Sequence, residues 1–305
     1  MASRNPSSPP VQIPQDVLDL LSRIFADCND DVAGTLSRIP TTHEDALDQL
    51  LISNLDRIAP ERAEHSGWIV NVETHFLGGG HHVGRWEIAD IGILVILRRG
   101  TRTWSKVAIL QSKRLFPQGA KHDPADAERL FRWGFGRLVG GYTPVRAPRT
   151  FEFTDASRYE SLNLKDGQAT RVSAYEAEML IPVHYMLYNP VTIPWQRSLP
   201  TAANKQQLPK NDIGCRIVRA TQLQALEASG ISIPRYGDVS TIAPPHALAP
   251  FEAGWRLEDF IVALLLGCHE GKVLDQTLDE TLELLFYRRT YPIAAAVAVN
   301  LEVAD

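Results

Sequence analysis

The stretch from Trp86 to Leu115, WEIADIGILVILRRGTRTWSKVAILQSKRL, constrains the fold more than any other part of the chain. Residues 89–98 and 106–111 are mostly apolar and β-branched, and the Arg98-Arg99-Gly100-Thr101-Arg102 segment between them is polar with a glycine. Two such runs joined by a short turn read as a β-hairpin. Side chains two apart on a strand share a face, so Gln111 and Lys113 point the same way. Asp90 opens one strand and Gln111 lies near the end of its antiparallel partner. The hairpin therefore gathers Asp90, Gln111 and Lys113 at one end.

Those residue types suit phosphodiester chemistry. A hard cation such as Mg²⁺, with Mn²⁺ as a substitute, takes oxygen ligands, and the Asp90 carboxylate, the Gln111 side-chain carbonyl and the Ser112 backbone carbonyl offer them. Such an ion polarises a phosphodiester and lowers the pKa of bound water, while Lys113 would position that water or neutralise charge at phosphorus. The plainer alternative is that Asp90 caps a strand, with Gln111, Lys113 and Arg114 marking where its partner re-emerges into solvent.

One carboxylate and one amide hold Mg²⁺ weakly, so a second acid is expected. Glu44 opens a predicted helix, Thr42 to Ile58, whose Leu47, Leu50, Leu51, Leu55 and Ile58 mark the buried face. Glu44 lies three residues before Leu47 and seven before Leu51, on the side turned toward the sheet. The same residues also fit a capping box, Thr41-Thr42-His43-Glu44, with Glu44 bonding back to the Thr41 amide. Glu73, in the strand-like run Trp68 to Phe76, and Glu87, just before Asp90, are the alternates.

The order Glu44, Asp90, Gln111-Ser112-Lys113 resembles the PD-(D/E)xK nuclease superfamily, in the variant where Gln replaces the second acidic residue. Ile109-Leu110-Gln111-Ser112-Lys113-Arg114 is similar to the Gln-x-Lys sites of DNA-cleaving effectors in bacterial anti-phage defence. The likeness spans about residues 41–140. It implies a restriction-endonuclease-like mixed β-sheet flanked by helices, an α/β fold, with Asp90, Gln111 and Glu44 at the metal and Lys113 catalytic. It departs from the pattern in lacking a proline before Asp90 and in Gln111 itself. The implied function is a Mg²⁺-dependent endonuclease acting on DNA, an effector in bacterial defence. A nucleic-acid-binding subunit with weak or lost catalysis, and a protein-interaction component, are the alternatives.

Charge segregation points the same way. The chain carries −5 overall, but residues 98–149 hold twelve Lys or Arg against Asp123, Asp126 and Glu128, which makes that segment +9 and the rest −14. Phosphate-backbone binding needs a local basic surface whatever the total. Arg98, Arg99, Arg102, Arg114, Lys121, Arg129, Arg132 and Arg137 are the expected nucleic-acid contacts, the last three on the outer side of a helix predicted over 124–139 with Asp123 as N-cap and Pro124 at its first position. The glycine-rich Gly78 to Gly84 loop, with His81 and His82, lacks the Lys-Ser/Thr of a nucleotide P-loop.

Cys28, Cys215 and Cys268 are far apart and odd in number, which suggests free thiols in a reducing cytoplasm and neither a disulfide frame nor a zinc site. The N-terminus has no apolar core of signal-peptide length. Val262 to Leu266 is too short to span a membrane. Along the chain, 1–40 reads as a tail and a helix over 14–27, 41–240 as the nuclease-like core with further strands near Val183 to Leu187 and Cys215 to Ala220, and 241–305 as an extension packed on it. The extension should contain helices over Trp255 to Cys268 and Leu278 to Tyr287 and a strand over Ile293 to Val303. Its acidic residues face it away from DNA and toward a partner protein or a second copy. Tyr185 to Tyr188 reads as core packing, and Trp195, Arg197, Lys205 and Lys210 as a loop within reach of nucleic acid.

Overall fold

A computed structural model describes residues 12–76, 89–118, 149–199, 206–274 and 293–303. The expected loop 78–84, Glu87, Lys121, the helix over 124–139 with Arg129, Arg132 and Arg137, Lys205 and the helix over 278–287 lie outside them.

The chain opens with helix α1, Gln15–Arg38, and helix α2, Glu44–Asp56. The strands that follow are β1 (Glu61–Arg62), β2 (Ile69–Phe76), β3 (Ala89–Arg99), β4 (Arg102–Arg114) and β5 (Arg149–Phe153). Helix α3, Gly167–Met179, leads into β6 (Val183–Tyr188), β7 (Trp195–Leu199) and β8 (Arg216–Arg219). Helix α4, Ala220–Ala228, and the short helix α5, Tyr236–Ser240, precede β9 (Trp255–Arg256). Helix α6, Leu257–Asp259, runs on as a π-helix, Phe260–Leu265, before β10 (Lys272–Val273) and β11 (Ile293–Glu302).

Among the described residues nine strands form one mixed sheet in the order β1-β2-β11-β3-β4-β6-β8-β9, with β10 also paired to β4. β5 and β7 form a separate pair. The architecture is thus α/β, a mixed sheet flanked by helices. The β3–β4 hairpin forms as expected: Arg99 pairs with Arg102 across a two-residue turn in which Gly100 takes φ +56°, a conformation that favours glycine. All of β3 from Ala89 to Leu97 is buried except the half-buried Asp90. A run apolar at every position, not alternate ones, is what a strand covered on both faces requires.

The expected boundaries do not fall at breaks in the core. α1 is far longer than 14–27, because Asn29, within the polar run Asp27 to Asp31, is held by partners distant in sequence. It accepts from the Cys215 amide at 2.7 Å and donates to Glu258 at 2.9 Å. The helix buries Val17, Leu20, Leu21, Phe25, Val32 and Leu36 in the main core, so it is no appendage. At the other end, β11 lies inside the sheet, parallel to β3 and antiparallel to β2. The 241–305 segment therefore completes the sheet as well as adding a helix to it. The single helix expected over Trp255 to Cys268 begins instead as a strand and ends at Leu265. No helix among the described residues is long and apolar enough to cross a membrane, and all three cysteines are free.

Candidate active site

The ends of β3, β4 and β6 and the first turns of α2 meet at one pole of the sheet. Ile91 pairs with Leu110, which brings Asp90 level with Gln111. Gln111, Ser112, Lys113 and Arg114 pair in parallel with Tyr185 to Tyr188. Strand alternation puts Asp90, Gln111 and Lys113 on one side, and Ser112, Arg114 and Tyr188 on the side toward α2. At the sheet's end the two sets join.

Asp90 Oδ2 accepts from the Gln111 side-chain amide and, at 2.6 Å, from the Ser112 backbone N–H. The Lys113 stem is long enough to carry its amine to Glu44 Oε1 at 3.3 Å. Glu44 Oε2 accepts from the Arg114 N–H and from the Ser161 hydroxyl, both at 2.9 Å. The capping box is not formed: His43 is the N-cap, without a side-chain cap bond, which makes Glu44 the first helical residue and leaves its carboxylate to the strand ends. Glu44, Asp90, Gln111 and Lys113 are therefore brought together. Glu73 is not among them; it is exposed on β2 and accepts from Asn71.

Asp48 is a further member that the sequence reading missed. It stands one turn after Glu44 on α2 and accepts at Oδ1 from the Ser112 hydroxyl at 2.6 Å and from the Tyr188 hydroxyl. A pair of acids four apart beside an apolar stripe is the signal that could have found it. Each of Asp48 and Asp90 keeps an edge on solvent, yet their carboxylates are enclosed. Burial pushes the Asp48 carboxyl up to about 7, against hydrogen bonds from Ser112 and Tyr188. Burial, and then the neighbouring Asp48 charge, push Asp90 well above the usual aspartate range, with Lys113 opposing.

These groups fit a cation. Gln111 Oε1 is buried without a hydrogen-bond partner among the described residues, a state that costs about 1–3 kcal/mol unless a donor or a cation meets it. Asp48 and Asp90 are driven toward their neutral forms chiefly by burial, and a cation beside them would favour the charged forms. Among the described residues no three His, Cys, Asp or Glu side chains are placed to hold a metal by themselves. A site here would need the Gln111 carbonyl.

Among the described residues, the expected basic segment does not line the site. Arg114 is 4% exposed and donates to the carbonyls of Thr42 and, at 3.0 Å, Pro40, with its guanidinium 4.0 Å from the centre of the Phe116 ring. Burial lowers it to about 10, so it remains charged at neutral pH. It anchors the chain entering α2 and is closed to DNA. We expect Arg114→Ala to cost about 2–4 kcal/mol in urea denaturation, because it strands two carbonyls and opens a void. Lys106 is buried too, donating to the Leu265 carbonyl at 3.0 Å. Arg98, Arg99 and Arg102 are exposed, but eight residues of extended strand between Asp90 and Arg98 place them about 26 Å from the site. They do not flank it. Tyr185 and Tyr188 are buried, as core packing predicts, and Trp195 is buried with its indole N–H on the Ser37 carbonyl. Arg197 is buried as well.

No known protein family, no curated protein and no solved structure matches the chain.

Proposed function

We propose that this protein is a Mg²⁺-dependent endonuclease acting on DNA, with the restriction-endonuclease-like fold that the Gln-x-Lys resemblance implies, and an effector of bacterial anti-phage defence. One observation carries the reading: Glu44, Asp90, Gln111 and Lys113, spread over seventy residues of sequence, meet at one sheet pole, where the Gln111 amide oxygen is buried and has no hydrogen-bond partner among the described residues. Asp90, Gln111 and Glu44 would hold the ion, with Asp48 beside them. When bound, Mg²⁺ supplies Lewis acidity at a phosphoryl oxygen and acidifies a water ligand. Lys113 would orient the attacking water and offset charge as the water oxygen bonds to phosphorus, the P–O bond to the leaving strand breaks and the water's proton passes to solvent. Asp90, held by the Ser112 amide, fixes the position of that chemistry.

A second reading, a DNA-binding subunit with weak or lost catalysis, is favoured by the Gln111 amide group, which already occupies Asp90 Oδ2. A partner protein or a second copy then supplies target choice in either case.

The test is cleavage of supercoiled plasmid by the purified protein. Nicking that needs Mg²⁺ or Mn²⁺, stops in chelator and is lost in Asp90→Ala supports the endonuclease. Salt-dependent binding without cleavage under either metal supports the inactive subunit. Wild-type cleavage by a folded Asp90→Ala protein removes the assignment of this site.

A further inference from the structure

Among the described residues, none of Arg98, Arg99, Arg102 and Arg114 is placed to contact phosphate at the active pole, and a cleft beside Arg158 offers such a contact instead. A cleft of about 360 Å³ is lined by Arg158, Ile231, Ser232, Ile233, Arg235 and Asp238. We infer that Arg158 and Arg235 form a subsite for the DNA backbone, gripping a phosphate a few nucleotides from the scissile group. This rests on the endonuclease reading and deepens it.

Position is the first argument. Arg158 lies on the loop that also carries Ser161, whose hydroxyl reaches Glu44 at 2.9 Å. Three residues of chain cover at most about 11 Å, which is three or so nucleotide steps along one strand at about 3.4 Å each. The loop is firmly held. Arg158 accepts from the Phe116 N–H at 2.9 Å, only three residues beyond Lys113, and Tyr159 donates its N–H to the Pro234 carbonyl at 3.0 Å. The Tyr159 ring is fully buried, with its hydroxyl on Asn189 at 2.7 Å. The Leu164 N–H meets the Ser232 carbonyl at 2.8 Å. A cleft fixed in this way to β4 keeps its distance from the catalytic groups.

Charge is the second argument. Arg158 and Arg235 are partners in an antiparallel backbone bridge, and both are exposed. Like charges facing one another across neighbouring strands destabilise a fold. Asp238 also lines the cleft, but its Oδ2 already accepts the Arg235 backbone N–H at 2.8 Å. Neither guanidinium has a side-chain ion pair among the described residues. Two opposed guanidinia lining a cleft, neither ion-paired among the described residues, suit an anion with several acceptor oxygens, and a phosphodiester takes an arginine fork bidentately.

The experiment is fluorescence anisotropy of a short DNA duplex in chelator, where nothing is cut, across a range of salt, with cleavage measured in parallel. Arg158→Ala and Arg235→Ala should each weaken binding by about tenfold, and the double variant should flatten the log K against log [salt] slope by about 2, one phosphate contact per arginine. Their melting temperatures should equal or exceed wild type, since opposed charges are removed. A double variant with wild-type affinity and slope, in a protein that still cuts DNA, overturns the subsite and leaves the nuclease standing. A wild-type protein that neither binds nor cuts DNA overturns both.

Discussion

Replacing Lys113 by methionine is expected to slow DNA cleavage by roughly 10³-fold in a protein that still folds. Lys113 is 4% exposed, and methionine preserves most of its buried stem. What disappears is the charge, which has two roles at this pole. It sits 3.3 Å from Glu44, and it opposes the burial and the Asp48 charge that drive the Asp90 carboxyl toward its neutral form. Without it Asp90 binds a proton more readily, so the ion site weakens along with the charge stabilisation at phosphorus. Folding is less exposed to the change. Glu44 keeps its bonds from the Arg114 amide and the Ser161 hydroxyl, and its side chain is 21% exposed. Lys113→Arg should not restore the rate, since a planar fork cannot occupy the place of a compact ammonium. Initial rates of plasmid nicking in saturating Mg²⁺, with a thermal melt beside them, measure both effects. A Lys113→Met protein that nicks within a few-fold of wild type would remove Lys113 from the mechanism.

Much of this pole was legible because its information is local. The two apolar runs and the Arg-Arg-Gly-Thr-Arg turn specify the hairpin, and a hairpin's register dictates that Asp90 faces Gln111. Glu44 was found through the period of α2. The misreadings share one physical origin: a cation's sequence context does not report its tertiary partners. Arg114 and Lys106 look like surface residues in a basic segment, yet the first holds the Thr42 and Pro40 carbonyls and the second the Leu265 carbonyl. Asp48 was hidden because its partners, Ser112 and Tyr188, lie 64 and 140 residues away. The place of β11 between β2 and β3 has no local signature either. Its alternating Ala and Val residues announce a strand but not its neighbours, and parallel pairing with β3 needs a crossover that spans most of the chain.

Glu270 carries the largest expected effect on stability, and it lies apart from the proposed chemistry. The loop after the π-helix places its carboxylate, 2% exposed, between three cationic or ionisable groups: His184 on β6 at 3.0 Å, Arg219 on β8 at 2.7 Å and His246 at 3.2 Å. His184 is wholly buried and packs edge-on to the Phe260 ring at 4.9 Å. The carboxylate thus joins two sheet strands to the helix that covers them. Glu270→Ala would leave the Arg219 charge and the His184 ring facing a void, and removing one partner of a buried pair costs about 3–5 kcal/mol. Glu270→Gln keeps an acceptor oxygen and should cost less. Burial works to raise the Glu270 carboxyl, but the bonds and charges of His184 and Arg219 outweigh it and hold the group below the usual 4.5. An acid held low in the folded state contributes stability above its unfolded value and loses it as pH falls through the folded one. The gap between wild type and Glu270→Gln should therefore be full at pH 7 and close progressively below about pH 4.5. Urea denaturation at pH 7 and pH 4 reads this directly. A gap that stays constant across that range would mean the carboxylate's charge contributes nothing, and that packing alone holds β6 and β8 to the helix.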